Sequence, residues 1–122
     1  MFAAAASGTA AYGLTRRAVA DQAVAANDKI GVFVVGIGGR GWGSHCNQWM
    51  KDPRTEIRYI CDPDRTKEAR CDAIAEQQGG VRPKFITDMR HALDDPAVDV
   101  VSNASSNHWH ALCGVWAMQA GK

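Results

Sequence analysis

Two short stretches of this 122-residue sequence hold residue types whose spacing could do chemistry. The first is Gly36-Ile37-Gly38-Gly39-Arg40-Gly41, a G-x-G-x-x-G hexapeptide, followed 21 positions after Gly41 and 26 after Gly36 by Asp62. Glycine-rich turns are common, so the hexapeptide takes its meaning from context: it directly follows an apolar, β-branched run and opens an amphipathic one. In that setting Gly36 permits a tight turn, Gly38 lets a pyrophosphate approach the backbone, and Gly41 lets a helix sit close to the strand. The unpaired N–H groups of the first helical turn, together with the helix dipole, favour a phosphate's negative charge. The expected ligand is a dinucleotide, with all six residues of the turn as candidate contacts and Asp62 accepting hydrogen bonds from the adenosine ribose. A carboxylate there repels a 2′-phosphate, which favours NAD over NADP; Arg65, just past the strand, is the residue able to neutralise such a phosphate. The bland alternative for Asp62 is a turn residue in Asp62-Pro63-Asp64. Arg40 either lies over the pyrophosphate or faces solvent, and Trp42 and His45 read as packing or surface residues.

The second stretch is Ala104-Ser105-Ser106-Asn107-His108-Trp109-His110. It follows another apolar run, at the carboxyl end of a strand, where loops of a doubly wound sheet line the ligand crevice. Ser105 is a candidate contact, and Asn107 can hydrogen-bond a ribose while capping a helix. His108 and His110 are two residues apart, so on a helix they point about 200° from each other. That spacing does not make a metal pair, and no metal is expected.

These residues need a scaffold, and the chain supplies alternating strand-like and helix-like segments. Strands are expected at Ile30–Val35, Glu56–Cys61, Lys84–Ile86 and Val98–Ala104. Helices are expected from Arg40 to Met50, from an Asp64 cap to about Gln78, from a Thr87 or Asp88 cap to Leu93, and from Asn107 to Gln119. Gly79-Gly80 and Gly121 serve as terminators. Strand–helix alternation of this size implies right-handed βαβ units and an open parallel sheet in the order 3-2-1-4. The fold class is therefore α/β, a Rossmann-type open parallel sheet.

The bulk properties exclude other classes. The chain is about one domain long; 46% hydrophobic and 22% charged residues are ordinary for a globular protein. A formal charge of +1 without a basic block argues against nucleic acid. Cys46, Cys61, Cys71 and Cys113 show no C-x-x-C pair or zinc-like spacing, and read as buried thiols. Residues 1–28 are different in kind: Phe2 to Leu14 is uncharged, small and apolar, with the texture of a signal-peptide core. Two small-x-small sites follow, Ala18-Val19-Ala20 and Val24-Ala25-Ala26, although no basic region precedes the apolar run. The segment reads either as an export leader, giving a periplasmic or secreted protein with no membrane association after cleavage, or as an Ala-rich leader of a cytoplasmic one. Residues 29–122 form the dinucleotide-binding domain.

From about Asp28 to Lys122 the sequence resembles the glucose–fructose oxidoreductase / inositol dehydrogenase (Gfo/Idh/MocA) family. The resemblance rests on V-V-G-I-G-G-R-G, on I-C-D-P-D, and on N-H-W-H-A at the start of the last helix; the last form is similar to that of an exported branch. It implies an NAD(P)-binding domain followed by an α/β substrate domain, with hydride moving between a carbinol carbon of a sugar or polyol and the nicotinamide. It places Gly36, Gly38, Gly41 and Asp62 at the cofactor, and Asn107 and His110 near the nicotinamide ribose. Ser105-Ser106 stands where the family usually has Thr-Pro or Ser-Pro. The family's Glu-Lys-Pro segment, with its proton-transfer lysine, and the substrate domain are expected beyond Lys122. No catalytic residue is therefore assigned within the chain beyond His110 as a candidate, the sheet is expected to be incomplete, and the chain alone is expected to be inactive. A homo-oligomer is an expectation for the full-length protein. Two further readings stay open: an NAD-dependent glycosidase of the same family, and a non-catalytic dinucleotide-binding module.

Overall fold

The computed structural model describes residues 29–122; the leader reading of residues 1–28 lies outside them. The apolar run Ile30–Val35 forms β1, and Thr55–Cys61, Lys84–Ile86 and Val100–Asn103 form β2, β3 and β4. All pairings are parallel, and the order is β3-β2-β1-β4, the arrangement the strand–helix alternation predicts. The continuous apolar run of β1 follows from burial on both faces. Val32 and Val34 pack with Ile57, Ile60, Cys71 and Ile74 on one side; Phe33 and Val35 pack with Tyr59, Met89 and Leu93 on the other.

Helix α1 comprises a π-helical part, Gly41–Cys46, running into α-helical Asn47–Lys51. A regular α-helix was the expectation for this stretch. Gly41 and Gly43 are poor α-formers, and the Asn47 amide donates to the Gly43 carbonyl at 3.0 Å, a side chain entering the ladder that favours a wider turn. Helix α2 starts as a 3₁₀ turn, Arg65–Ala69, and continues as Arg70–Gln77. Its Asp64 cap accepts from the Thr66 N–H at 3.0 Å, as its position predicts. The short α3 is Arg90–Leu93 and the last helix, α4, is Asn107–Gln119. Among the described residues no helix is long and apolar enough to cross a membrane.

The fourth strand is shorter than the run Val98–Ala104 suggests. Val98 instead turns back, its N–H donating to Asp95 at 3.0 Å, and the Asp99 carboxylate accepts from the Gly31 N–H at 2.6 Å. Val98 keeps its place in the core at 1% exposure, so hydrophobic pattern alone did not distinguish strand from turn.

One polar tie closes the end of the sheet away from the strands' carboxyl termini. The hydroxyl of buried Tyr59 donates to Asp95 Oδ2 at 2.5 Å, and this bond, with one from the Ala97 N–H, holds the Asp95 carboxyl below the usual carboxylate range. Because the folded carboxyl titrates below its unfolded value, its contribution is present above the unfolded pKa and fades as pH falls through the folded one. Tyr59→Phe is expected to cost about 1 kcal/mol at neutral pH and to flatten the acid limb of the stability curve. Urea titrations at pH 7 and pH 3 check this; an unchanged midpoint at pH 7 would contradict it.

Candidate functional site

The carboxyl ends of β1, β2 and β4 open into a crevice of about 640 Å³. Its floor is the turn after β1. Gly36 has φ +82°, and a Cβ there would lie 2.8 Å from the Ala104 carbonyl oxygen, so both conformation and space demand glycine. Gly41 is buried, and a Cβ on it would lie 1.8 Å from the Gly36 carbonyl oxygen; only glycine lets α1 start against the turn. At Gly38 and Gly39 an added Cβ meets nothing within 4 Å. Two glycines thus serve packing, while the other two leave the backbone bare on an open side.

Asp62 is the last buried residue of β2's carboxyl end, at 4% exposure. Its Oδ2 accepts from the Ile37 N–H at 3.0 Å, and its Oδ1 from the Asp64 N–H at 2.9 Å. The Lys67 ammonium reaches both oxygens, at 2.9 and 3.1 Å, and lies 3.7 Å from Asp64 Oδ2. The carboxylate is therefore a structural link between the glycine turn and β2 as well as a lining group of the crevice. Neither reading of Asp62 from sequence contained Lys67. The signal was there: a lysine in the first turn of a helix capped by Asp64 is brought back over the strand end.

The loop after β4 is held by Asn103, which sequence reasoning missed. Its Oδ1 accepts from the Ser105 N–H at 3.1 Å and hydroxyl at 2.7 Å, and its amide donates to the His110 carbonyl at 3.2 Å. Ser105 lines the crevice, as do Ser106 and His108. Asn107 and His110 sit in the exposed first turn of α4, outside the crevice lining. The helix N-cap position belongs to Ser106 rather than Asn107, which is the first helical residue, and Ser106 makes no side-chain capping bond. Arg40 is exposed, Ile37 is buried in the core, and Arg65 is exposed.

The opposite wall comes from the turn after β3, read from sequence only as a cap. Arg90 grips Asp88 through two bonds of 3.0 and 2.6 Å, and this holds the Asp88 carboxyl well below the usual carboxylate range. The Arg90 guanidinium also lies over the Trp116 ring, 5.4 Å from its centre. Cys61 and Cys113 line the crevice as buried free thiols. Burial, reinforced by the charges of Asp88 and Asp62, pushes the Cys61 thiol up to about 12, so it stays protonated and is no nucleophile at neutral pH. His45, expected as a packing or surface residue, is partly buried against α1's sheet side, where its Nδ1 shares a 2.9 Å hydrogen bond with the Ser102 hydroxyl.

A parallel sheet of this order, with a bare glycine turn opening a helix and a carboxylate at the neighbouring strand end, defines a dinucleotide-binding domain. The sequence model of the Gfo/Idh/MocA oxidoreductase family, NAD-binding Rossmann fold, matches residues 30–122, and the chain belongs to that family. A comparison with curated protein sequences returns no match. Among solved structures, GenD2 from gentamicin A biosynthesis, in complex with NAD, is 29% identical with a TM-score of 0.63; the match covers 78% of this chain and 25% of that one. An NAD-binding oxidoreductase from Klebsiella pneumoniae is 26% identical with a TM-score of 0.56, over 77% of this chain and 26% of that one. A 3-ketoreductase from Actinomadura kijaniata, solved with NADP and TDP-benzene, shares the fold at 23% identity and a TM-score of 0.62, over 77% and 27%. The chain thus spans about a quarter of the length of these structures.

The division of labour among the glycines is testable. Gly41→Ala is expected to destabilise the chain by on the order of 3 kcal/mol, because backbone must move. Gly38→Ala is expected to leave stability within about 1 kcal/mol yet weaken NAD binding by an order of magnitude or more. Thermal melts and calorimetric titration separate the two; equal effects of both substitutions on stability would contradict the assignment.

Proposed function

We propose that this chain is the cofactor-binding part of an oxidoreductase that moves hydride between a CH–OH carbon of a sugar or polyol and nicotinamide, with NAD preferred to NADP. The observation that carries the reading is the pairing of the bare Gly38 backbone with Asp62 across one crevice, beside an equally unobstructed Gly39. The glycines fit a pyrophosphate and the carboxylate fits a ribose diol. When bound, the nicotinamide supplies the hydride acceptor. The residues of this chain bind and orient: the turn holds the phosphates, Asp62 the adenosine ribose, and the clamped Ser105 loop borders the nicotinamide half.

Both oxygens of Asp62 are already engaged, so a ribose diol gains its place by displacing Lys67, the only flexible partner of the carboxylate among the described residues. The backbone donors from Ile37 and Asp64 keep the carboxylate aimed while the ammonium moves. The sugar or polyol class is supported by the family resemblance, and the substrate site itself is assigned to a further domain. A place for Asn107 and His110 near the nicotinamide ribose is supported by the family resemblance alone, since neither lines the crevice. Export through the apolar Phe2–Leu14 segment is part of the same proposal, and fractionation of cells expressing the native gene tests it.

The cofactor preference gives the sharpest check. Calorimetric titration of the 122-residue chain is expected to show tighter binding of NAD than of NADP. Asp62→Asn removes the negative charge and is expected to narrow that ratio by about tenfold, in line with the cost of opposing charges at close range. An Asp62→Asn chain that is folded and keeps the wild-type ratio would overturn the role of Asp62.

A further inference from the structure

The crevice has a support that does not touch it. Arg70, in the first α-helical turn of α2, sends its Nη1 to the Ile37 carbonyl oxygen and, at 3.4 Å, to that of Gly38. Its guanidinium is stacked on Trp42, 5.2 Å from the ring centre, and Trp42 in turn packs on the core. Arg70 is not among the residues lining the crevice.

Peptide planarity turns these contacts into an orientation. In a trans peptide the C=O of one residue and the N–H of the next point to opposite sides, and no cis bond occurs among the described residues. A guanidinium that holds the Ile37 carbonyl therefore turns the Gly38 N–H the other way. The same guanidinium, holding the Gly38 carbonyl, does this for the Gly39 N–H. The Trp42 N–H adds a second donor to the Gly38 carbonyl at 3.1 Å. The preceding peptide plane, Gly36–Ile37, is held as well, since the Ile37 N–H donates to Asp62. With Gly38 lining the crevice and no Cβ obstructing it, the face left free is the one a pyrophosphate would meet.

We infer that Arg70 is a positioning residue for pyrophosphate binding: it fixes the peptide planes of the glycine turn so that two N–H donors face the ligand before it arrives. The inference rests on the dinucleotide reading above. A preset turn spends no binding energy on ordering itself, whereas a glycine peptide with fewer carbonyl anchors has more freedom to rotate. The single positive charge also sits behind the turn, where it adds attraction for the phosphates without competing for their oxygens.

A ligand pair that differs in the pyrophosphate separates positioning from general structure. ADP carries it and adenosine does not. Arg70→Met in the 122-residue chain is expected to weaken ADP and NAD about tenfold, measured by calorimetry. Adenosine, followed by NMR shift titration, is expected to change less than about twofold. Arg70→Lys, which keeps the charge and can reach one carbonyl, is expected to recover part of the loss; it also carries the test if the Met chain does not fold. Equal losses for ADP and adenosine would overturn the inference, since they mean that Arg70 only holds the fold. Unchanged ADP binding in a folded variant would overturn it as well. A wild-type chain that binds neither NAD nor ADP would overturn the dinucleotide reading, and this inference with it.

Discussion

The structure depends on how closely the backbone of α1 approaches the turn that precedes it. The Gly36 carbonyl oxygen lies where a Cβ on Gly41 would be, and the Gly36 Cα faces the Ala104 carbonyl with no room for a side chain. Those two contacts bring the helix start, the end of β1 and the end of β4 to one point. A crevice bounded by three strand ends exists because these backbones meet there. Widening the contact by one methyl group would separate α1 from the sheet and dissolve the floor of the site.

Charge then secures what sterics brought together. Asp62 is almost fully buried, and a buried carboxylate is tolerated only when hydrogen-bonded and paired. Its partners come from the glycine turn, from its own turn and from α2, so the group that could read a ribose also fastens three segments. Arg70 completes the arrangement from the other side of the turn. Lys67 and Arg70 lie one helical turn apart on the same element: one neutralises the acid, the other anchors the turn. The helix after β2 therefore organises a site to which it contributes little of the surface.

The fold was largely legible because its signals are local and mutually consistent. An unbroken β-branched run ending in glycines reads as a strand buried on both faces, and Asp64 announces a helix start. Where legibility failed, tertiary contacts had overridden local pattern. Val98 is as apolar as any strand residue, but its N–H closes a turn on the Asp95 carbonyl, and beside it the Asp99 carboxylate takes the Gly31 N–H. The π-helical start of α1 depends on an amide–carbonyl contact that hydrophobic periodicity does not encode. Within the site, the glycines and Asp62 were readable since their spacing carries the mechanism. Arg70 and Asn103 were not, because each acts through a partner chosen by folding: an arginine on an amphipathic helix looks the same whether it faces water or a loop carbonyl.

The account's central claim is that the bare glycine turn and Asp62 form one binding surface for a dinucleotide. Amide NMR of the uniformly ¹⁵N-labelled 122-residue chain during titration with NAD tests it most directly. The predicted result is a saturable shift of the Gly36, Gly38, Gly39, Asp62 and Ser105 amides with one common dissociation constant, while the Tyr59–Asp95 end of the sheet stays still. Shifts confined to other surfaces, or no shifts from a folded chain at millimolar NAD, would contradict it.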